Sequence, residues 1–119
     1  MNINNPVIKL CQQGTTDEYH HQQDEACKKY HQAWVTAQSD YEACIAAHYV
    51  ARCQQSPQDE LHWNCTALKH AQQSKEDITP FLGSLYVNIA HSYEKLGMES
   101  EAKQYYLLAS SHGINHQAE

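Results

Sequence analysis

Positive charge is scarce in this chain. Arg52 is the only arginine among 119 residues, and Lys plus Arg total 8 against 14 Asp plus Glu, a formal charge of −6. A surface so poor in cations does not attract a phosphate backbone, so nucleic acid is excluded as an expected partner. Four Gly and three Pro are too few for the many tight turns of a β-sandwich. No apolar run approaches the roughly 18 residues that a membrane span requires. The opening MNINNPVIK also lacks the apolar core of a signal peptide. A cytoplasmic location away from membranes is therefore the expectation. No strand is followed by a glycine-rich loop to hold an adenosyl cofactor, and no cofactor is expected. The five cysteines, Cys11, Cys27, Cys44, Cys53 and Cys65, are odd in number and contain no C-x-x-C pair. Without an export signal they read as reduced, mostly buried thiols rather than a disulfide framework.

What the chain does have is helix formers and helix punctuation. Ala, Gln, Glu, Lys and Leu are plentiful. Asn5-Pro6 and Ser56-Pro57 are N-cap and first-turn proline signals, and Thr79-Pro80 repeats them. Ser39 with Glu42 three residues on is a capping-box pattern. These signals place helices from Asn5 to about Tyr19 or His20, from about Asp24 to Gln38, and after Ser39, Ser56, Thr79 and Gly97. Gly113 is placed to end the last, and residues 114–119 form a short tail. The second members of the pairs share a phase. Ala26/Tyr30/Ala33, Leu61/Cys65/Leu68 and Ala102/Tyr106/Ala109 stand at matching inward offsets, each after an N-cap-type residue and a Glu. Three such units at a period near 35–41 residues mark stacked helix hairpins, about 6–39, 40–74 and 80–113, in a single domain spanning 1–119.

The third unit is the most regular. In GSLYVNIAHSYEKLGMESEAKQYYLLA, residues 83–109, the places Tyr86, Ala90, Tyr93, Gly97, Ala102, Tyr106 and Ala109 follow the tetratricopeptide repeat pattern without a gap. The chain resembles that family. The first unit keeps Gly14 at the small-residue place but carries Asp17 for the family's Tyr and His21 for its Gly. The second keeps Ala47 and has a turn about two residues longer. Over nearly its full length the chain also resembles a group of short bacterial repeat proteins with segments like DYEACIAAHYVARCQ and SLYVNIAHSYEKLG. The resemblance implies an all-α fold of three antiparallel helix hairpins stacked as a right-handed superhelix, with the first helices lining a concave binding side.

Carried onto this sequence, the family's groove places hold Thr15 and Tyr19 in the first unit, and Tyr41, His48 and Arg52 in the second. In the third they hold His91, Glu94 and Lys95, with Asn88 close by; Tyr49 is a further candidate for gripping a ligand. The resemblance thus implies a protein or peptide partner and an adaptor role without chemistry. A guanidinium holds a carboxylate in a bidentate grip, so Arg52, assisted by Asn88 and Lys95, suits a partner bearing a carboxylate. His91 stands where the family's carboxylate-clamping members carry Asn, so the full clamp is not present. The plainer reading of Arg52 is an ion pair with a neighbouring Glu. His48 and His91 occupy equivalent places and invite pH-sensitive binding, or serve as ordinary polar groove residues.

Other chemistry is thinly supported. Cys44/His48 and His62/Cys65 are two-ligand pairs on helix faces, but a structural zinc site wants four donors, so no metal is expected. Cys44, His48 and Glu94 are drawable as nucleophile, base and orienter, yet nothing in their spacing demands it, and no enzyme is expected. The rival to peptide capture is self-association into a homodimer through the exposed ends of a short stack.

Overall fold

The computed structural model describes residues 4–112. It contains α1 (Pro6–Tyr19), α2 (Gln23–Thr36), α3 (Asp40–Ala51), α4 (Pro57–Gln73), α5 (Thr79–Lys95) and α6 (Glu99–Ser111), with no strand among the described residues. No described helix is long and apolar enough to cross a membrane. Gly113 and the tail lie outside the described residues.

Local chemistry sets most helix starts. The Asn5 carboxamide oxygen accepts from the Val7 and Ile8 amides, and Pro6 occupies the first turn. Ser39 and Ser56 hydroxyls accept from the amides of Glu42 and Asp59. The capping box closes one residue early, because the Glu42 carboxylate reaches the Gln38 amide instead of Ser39. Thr79 is no cap: Ile78 holds that place without a side-chain bond, and the Asp77 carboxylate accepts from the Thr79 amide. Asp24, Asp59 and Ser100, the N-cap-type residues that open the three matched segments, sit inside the first turns of their helices.

The first and third hairpins turn identically. Gly97 stands at φ 75° with its amide on the Glu94 carbonyl, and the Met98 amide reaches Tyr93. His21, at φ 60°, does the same work in the first hairpin, with amide bonds from His21 to Glu18 and from Gln22 to Asp17. Both are Schellman closures, and His21 takes the left-handed place that glycine fills more easily. The second turn, residues 52–56, is two residues longer than residues 20–22 and 96–98, as its sequence suggests.

Hairpins α1–α2, α3–α4 and α5–α6 stack in chain order, α3 lying against α2 and α1 and α5 against α4. This packing order is compatible with a superhelix. Small residues line the seams: Ala33, Ala46, Ala47, Ala67, Ala90 and Ala109 are fully enclosed, letting helices approach closely. Gly14 belongs to the same set, since a Cβ there would run into the Tyr30 ring. The central α3 is enclosed by three neighbours and buries Ala43 to Ala47, Val50 and Ala51, nearly all round. Between α2 and α4 Trp34 meets Trp63 edge-to-face at 5.1 Å, and between α4 and α3 His70 Nδ1 lies 2.7 Å from the Asp40 carboxylate.

Two expectations are corrected. Helix α4 buries Asn64, Ala67 and Ala71, while Leu61, Cys65 and Leu68 are only half-buried. Counted from the helix start, Glu60, Asn64 and Ala67 match Ala26/Tyr30/Ala33 and Ala102/Tyr106/Ala109; the sequence match is displaced by one residue, about 100° of helix rotation. Secondly, Cys27 and Cys53 form a disulfide across a sequence separation of 26, their Cα atoms 5.7 Å apart. Cys27 lies on α2 and Cys53 in the turn after α3, so only helix packing brings them within bridging distance. Cys11, Cys44 and Cys65 remain free thiols, the first two buried.

Candidate functional site

The first and third hairpins seal their seams in the same way. Four residues after the buried small residue of each first helix (Gly14, Ala47, Ala90) come Glu18, Ala51 and Glu94. The eighth residue of each second helix is Tyr30, Asn64 or Tyr106. In the first hairpin the buried Tyr30 hydroxyl donates to the Glu18 carboxylate; in the third, Tyr106 donates to Glu94. A phenol ring thus fills the seam and hands its polar tip to a carboxylate.

Arg52 completes the first of these pairs. Its Nε and Nη2 donate to Glu18 Oε1 and Oε2 at 3.2 and 2.7 Å, a bidentate grip between hairpins one and two. The Arg52 hydrogen bonds hold the Glu18 carboxyl below its ordinary range. Burial, then the Glu18 bond, pushes the Tyr30 phenol far above its ordinary value. The ion-pair reading of Arg52 therefore describes its position, and a carboxylate ligand would have to displace Glu18.

The second hairpin has no such plug. Ala51 stands where Glu18 and Glu94 stand, and Asn64 where the tyrosines stand. A cavity of about 200 Å³ opens there, at the meeting of α3, α4 and α5. Its walls bring together five of the residues singled out from the sequence: His48, Arg52, Asn88, His91 and Lys95. Ala51, Glu60 and Asn64 complete it. Sequence reasoning missed Glu60 and Asn64 because α4 was read one residue out of phase; counting from Pro57 as the first helical residue would have found them.

The polar groups around the cavity are tied to one another. Asn64 Nδ2 donates to Ser92 Oγ at 3.1 Å and to the Asn88 carbonyl at 3.4 Å. Ser92 Oγ donates to Glu60 Oε1 at 2.7 Å, and Lys95 Nζ reaches both Glu60 oxygens at 3.2 and 2.9 Å. Asn88 Nδ2 lies 3.2 Å from His48 Nδ1. An amide NH₂ only donates, so with this amide orientation His48 Nδ1 accepts and the neutral ring carries its proton on Nε2. Burial first, and the Arg52 charge second, push the His48 pKa below its ordinary value. The site as built is charge-matched: each cation has its own carboxylate.

A second cleft of about 160 Å³ shares His48 and adds Tyr49, Cys44, Ile45, Phe81 and Leu85, making an apolar neighbour to the polar cavity. The other sequence candidates fall elsewhere. Tyr41 leans on Phe81 and lines a separate hollow at the head of α3. The Thr15 hydroxyl donates to the Cys11 carbonyl and sits 3.5 Å from the Tyr30 hydroxyl. Tyr19 is 81% exposed, outside both cavities. Glu94 is held by Tyr106. Burial raises the Cys44 thiol to about 11 and Cys11 to about 12, so both carry their protons at neutral pH. Among the described residues no three His, Cys, Asp or Glu side chains gather as a metal site would.

No family profile, curated protein or solved structure matches the chain.

Proposed function

We propose that this chain is a non-catalytic binding module that receives a peptide or protein segment along the side lined by α1, α3 and α5. The observation that carries the reading is the cavity between the second and third hairpins, which gathers His48, Arg52, Asn88, His91 and Lys95 beside an apolar cleft. Paired polar and apolar hollows on rigid helices suit a segment that offers a side chain and a stretch of backbone. The lack of chemistry is supported by the protonated Cys44 thiol and by His48, whose Nδ1 already serves Asn88. The tetratricopeptide resemblance points the same way, as a likeness in motif. A cytoplasmic setting is harder to keep alongside the Cys27–Cys53 bridge, because cytosolic thiol pools hold such pairs reduced. Counting thiols in freshly isolated protein decides that point.

The test is a displayed library of hexapeptides selected against the full chain, with affinities re-measured on an Arg52→Ala, His91→Ala double variant. Loss of about 1–3 kcal/mol for the selected peptides is expected, the scale of lost hydrogen bonds to a charged group. Unchanged affinity sinks the groove assignment. Sedimentation over a range of concentrations addresses self-association: a tight dimer whose formation protects His48 and Asn88 would replace peptide capture.

A further inference from the structure

Hairpins one and three each fill the seam with their own tyrosine, its hydroxyl bonded to a carboxylate. Hairpin two puts Ala51 and Asn64 at those places and leaves a cavity of about 200 Å³. We propose that the partner supplies the missing ring: the cavity takes a tyrosine side chain of the bound segment, an inference that rests on the groove reading above.

The surroundings match a phenol better than an aliphatic chain, a carboxylate or a cation. Glu60 lines the cavity and accepts from Ser92 and Lys95 as Glu18 accepts from Tyr30 and Arg52. A carboxylate has about four lone-pair directions, and three contacts to Glu60 are in use, so capacity for one more hydroxyl remains. Arg52 lines the cavity and its guanidinium is fixed by two bonds to Glu18, and a guanidinium plane held in this way is a good surface for an aromatic face. Because Lys95 and Arg52 are already matched by Glu60 and Glu18, the cavity offers no surplus charge to an ionised group. A ring with one polar tip satisfies all of these walls at once.

The probes are N-acetyl-tyrosine amide, N-acetyl-phenylalanine amide and N-acetyl-leucine amide, titrated into the isotopically labelled full chain and followed by NMR. The tyrosine derivative should produce saturable shifts at His48, Ala51, Asn64 and Asn88. The phenylalanine derivative should bind roughly tenfold more weakly, as expected for loss of one hydrogen bond to a charged acceptor. Ala51→Glu, which restores the carboxylate found in the other hairpins, should abolish the shifts. Glu60→Gln, which keeps the cavity's volume should Ala51→Glu fail to fold, should narrow the tyrosine-over-phenylalanine difference. Equal binding of all three probes, or shifts that centre elsewhere, overturns the assignment. The hexapeptide selection separates the two levels of claim. Groove-binding peptides without tyrosine enrichment remove the phenol and leave the groove, whereas no groove-binding peptide at all removes both.

Discussion

The junction between hairpins one and two and the junction between hairpins two and three both seat a first helix on the preceding second helix, α3 on α2 and α5 on α4, but are held by different chemistry. At the first, the Cys27–Cys53 bridge ties α2 to the turn after α3, Arg52 grips Glu18, and Asn5 Nδ2 donates to Glu42 at 2.7 Å. At the second there is no covalent link among the described residues; instead Asn64 and Ser92, both buried, pass hydrogen bonds from α4 to α5 and on to Glu60 and Lys95. A cross-link acts mostly on the unfolded chain by removing its freedom. A buried amide–hydroxyl network acts on the folded one, because a slip of the helices would leave polar groups unbonded in the interior. The first junction is built for holding, the second for register, and the cavity sits at the second.

The largest effect should come from breaking the first junction. Reduction, or Cys27→Ser with Cys53→Ser, is expected to cost about 3 kcal/mol given the loop closed by the bridge. That corresponds to a fall in Tm of roughly 10–15 °C, read by calorimetry with and without a phosphine reductant. A Tm unmoved by reductant would mean that the two sulfurs are not bonded in solution.

At the second junction, Asn64→Ala leaves the buried Ser92 Oγ without its donor and should destabilise by about 1–3 kcal/mol. Asn64→Leu should recover part of that loss of stability while broadening the amide spectrum of α5, since an apolar seam no longer fixes one register. If both variants keep the wild-type spectrum and Tm, the network does not set the pairing.

The smallest effect is in pH. His48 in the folded chain has its pKa below the ordinary 6.5, so the unfolded chain takes up the proton first as pH falls. Its contribution is complete above about pH 6.5 and is lost as pH drops through the lower folded-state value. Glu18, also depressed, adds a loss of the same sign but in the carboxylate range, below its ordinary 4.5. Arg52, Glu60, Lys95 and His91 share the cavity with His48, so the readout is the difference between wild type and His48→Gln in chemical-denaturation midpoints from pH 7.5 to 5. The gap between the two should change across that range; a constant gap removes His48 from the account.

The parts of this architecture that depend on a few consecutive residues were legible before any coordinates. Asn5-Pro6, Ser39 and Ser56-Pro57 start helices through bonds that span two or three residues, and the buried alanines 90, 102 and 109 follow from helical spacing alone. The phase of α4 was not legible in the same way. Leu61, Cys65 and Leu68 are the more hydrophobic set, but α4 is packed by both α3 and α5 and turns Asn64 to the seam, where Ser92 completes it. Polar burial of that kind is invisible until the partner is known. The grouping of His48, Arg52, His91 and Lys95 was available from repeat register, with Asn88 close by, whereas Tyr41, Thr15 and Tyr19 share that register in the hairpins but not the cavity. The Cys27–Cys53 pair carried no spacing signal at all, because it is made by docking α2 on the end of α3.

That bridge has a further consequence for the chain as a physical object. Residues 37–39, between α2 and α3, lie within the loop that it closes. A single backbone cut there by a protease would not release a fragment. The two pieces would still migrate as one species until a reductant opened the sulfur link.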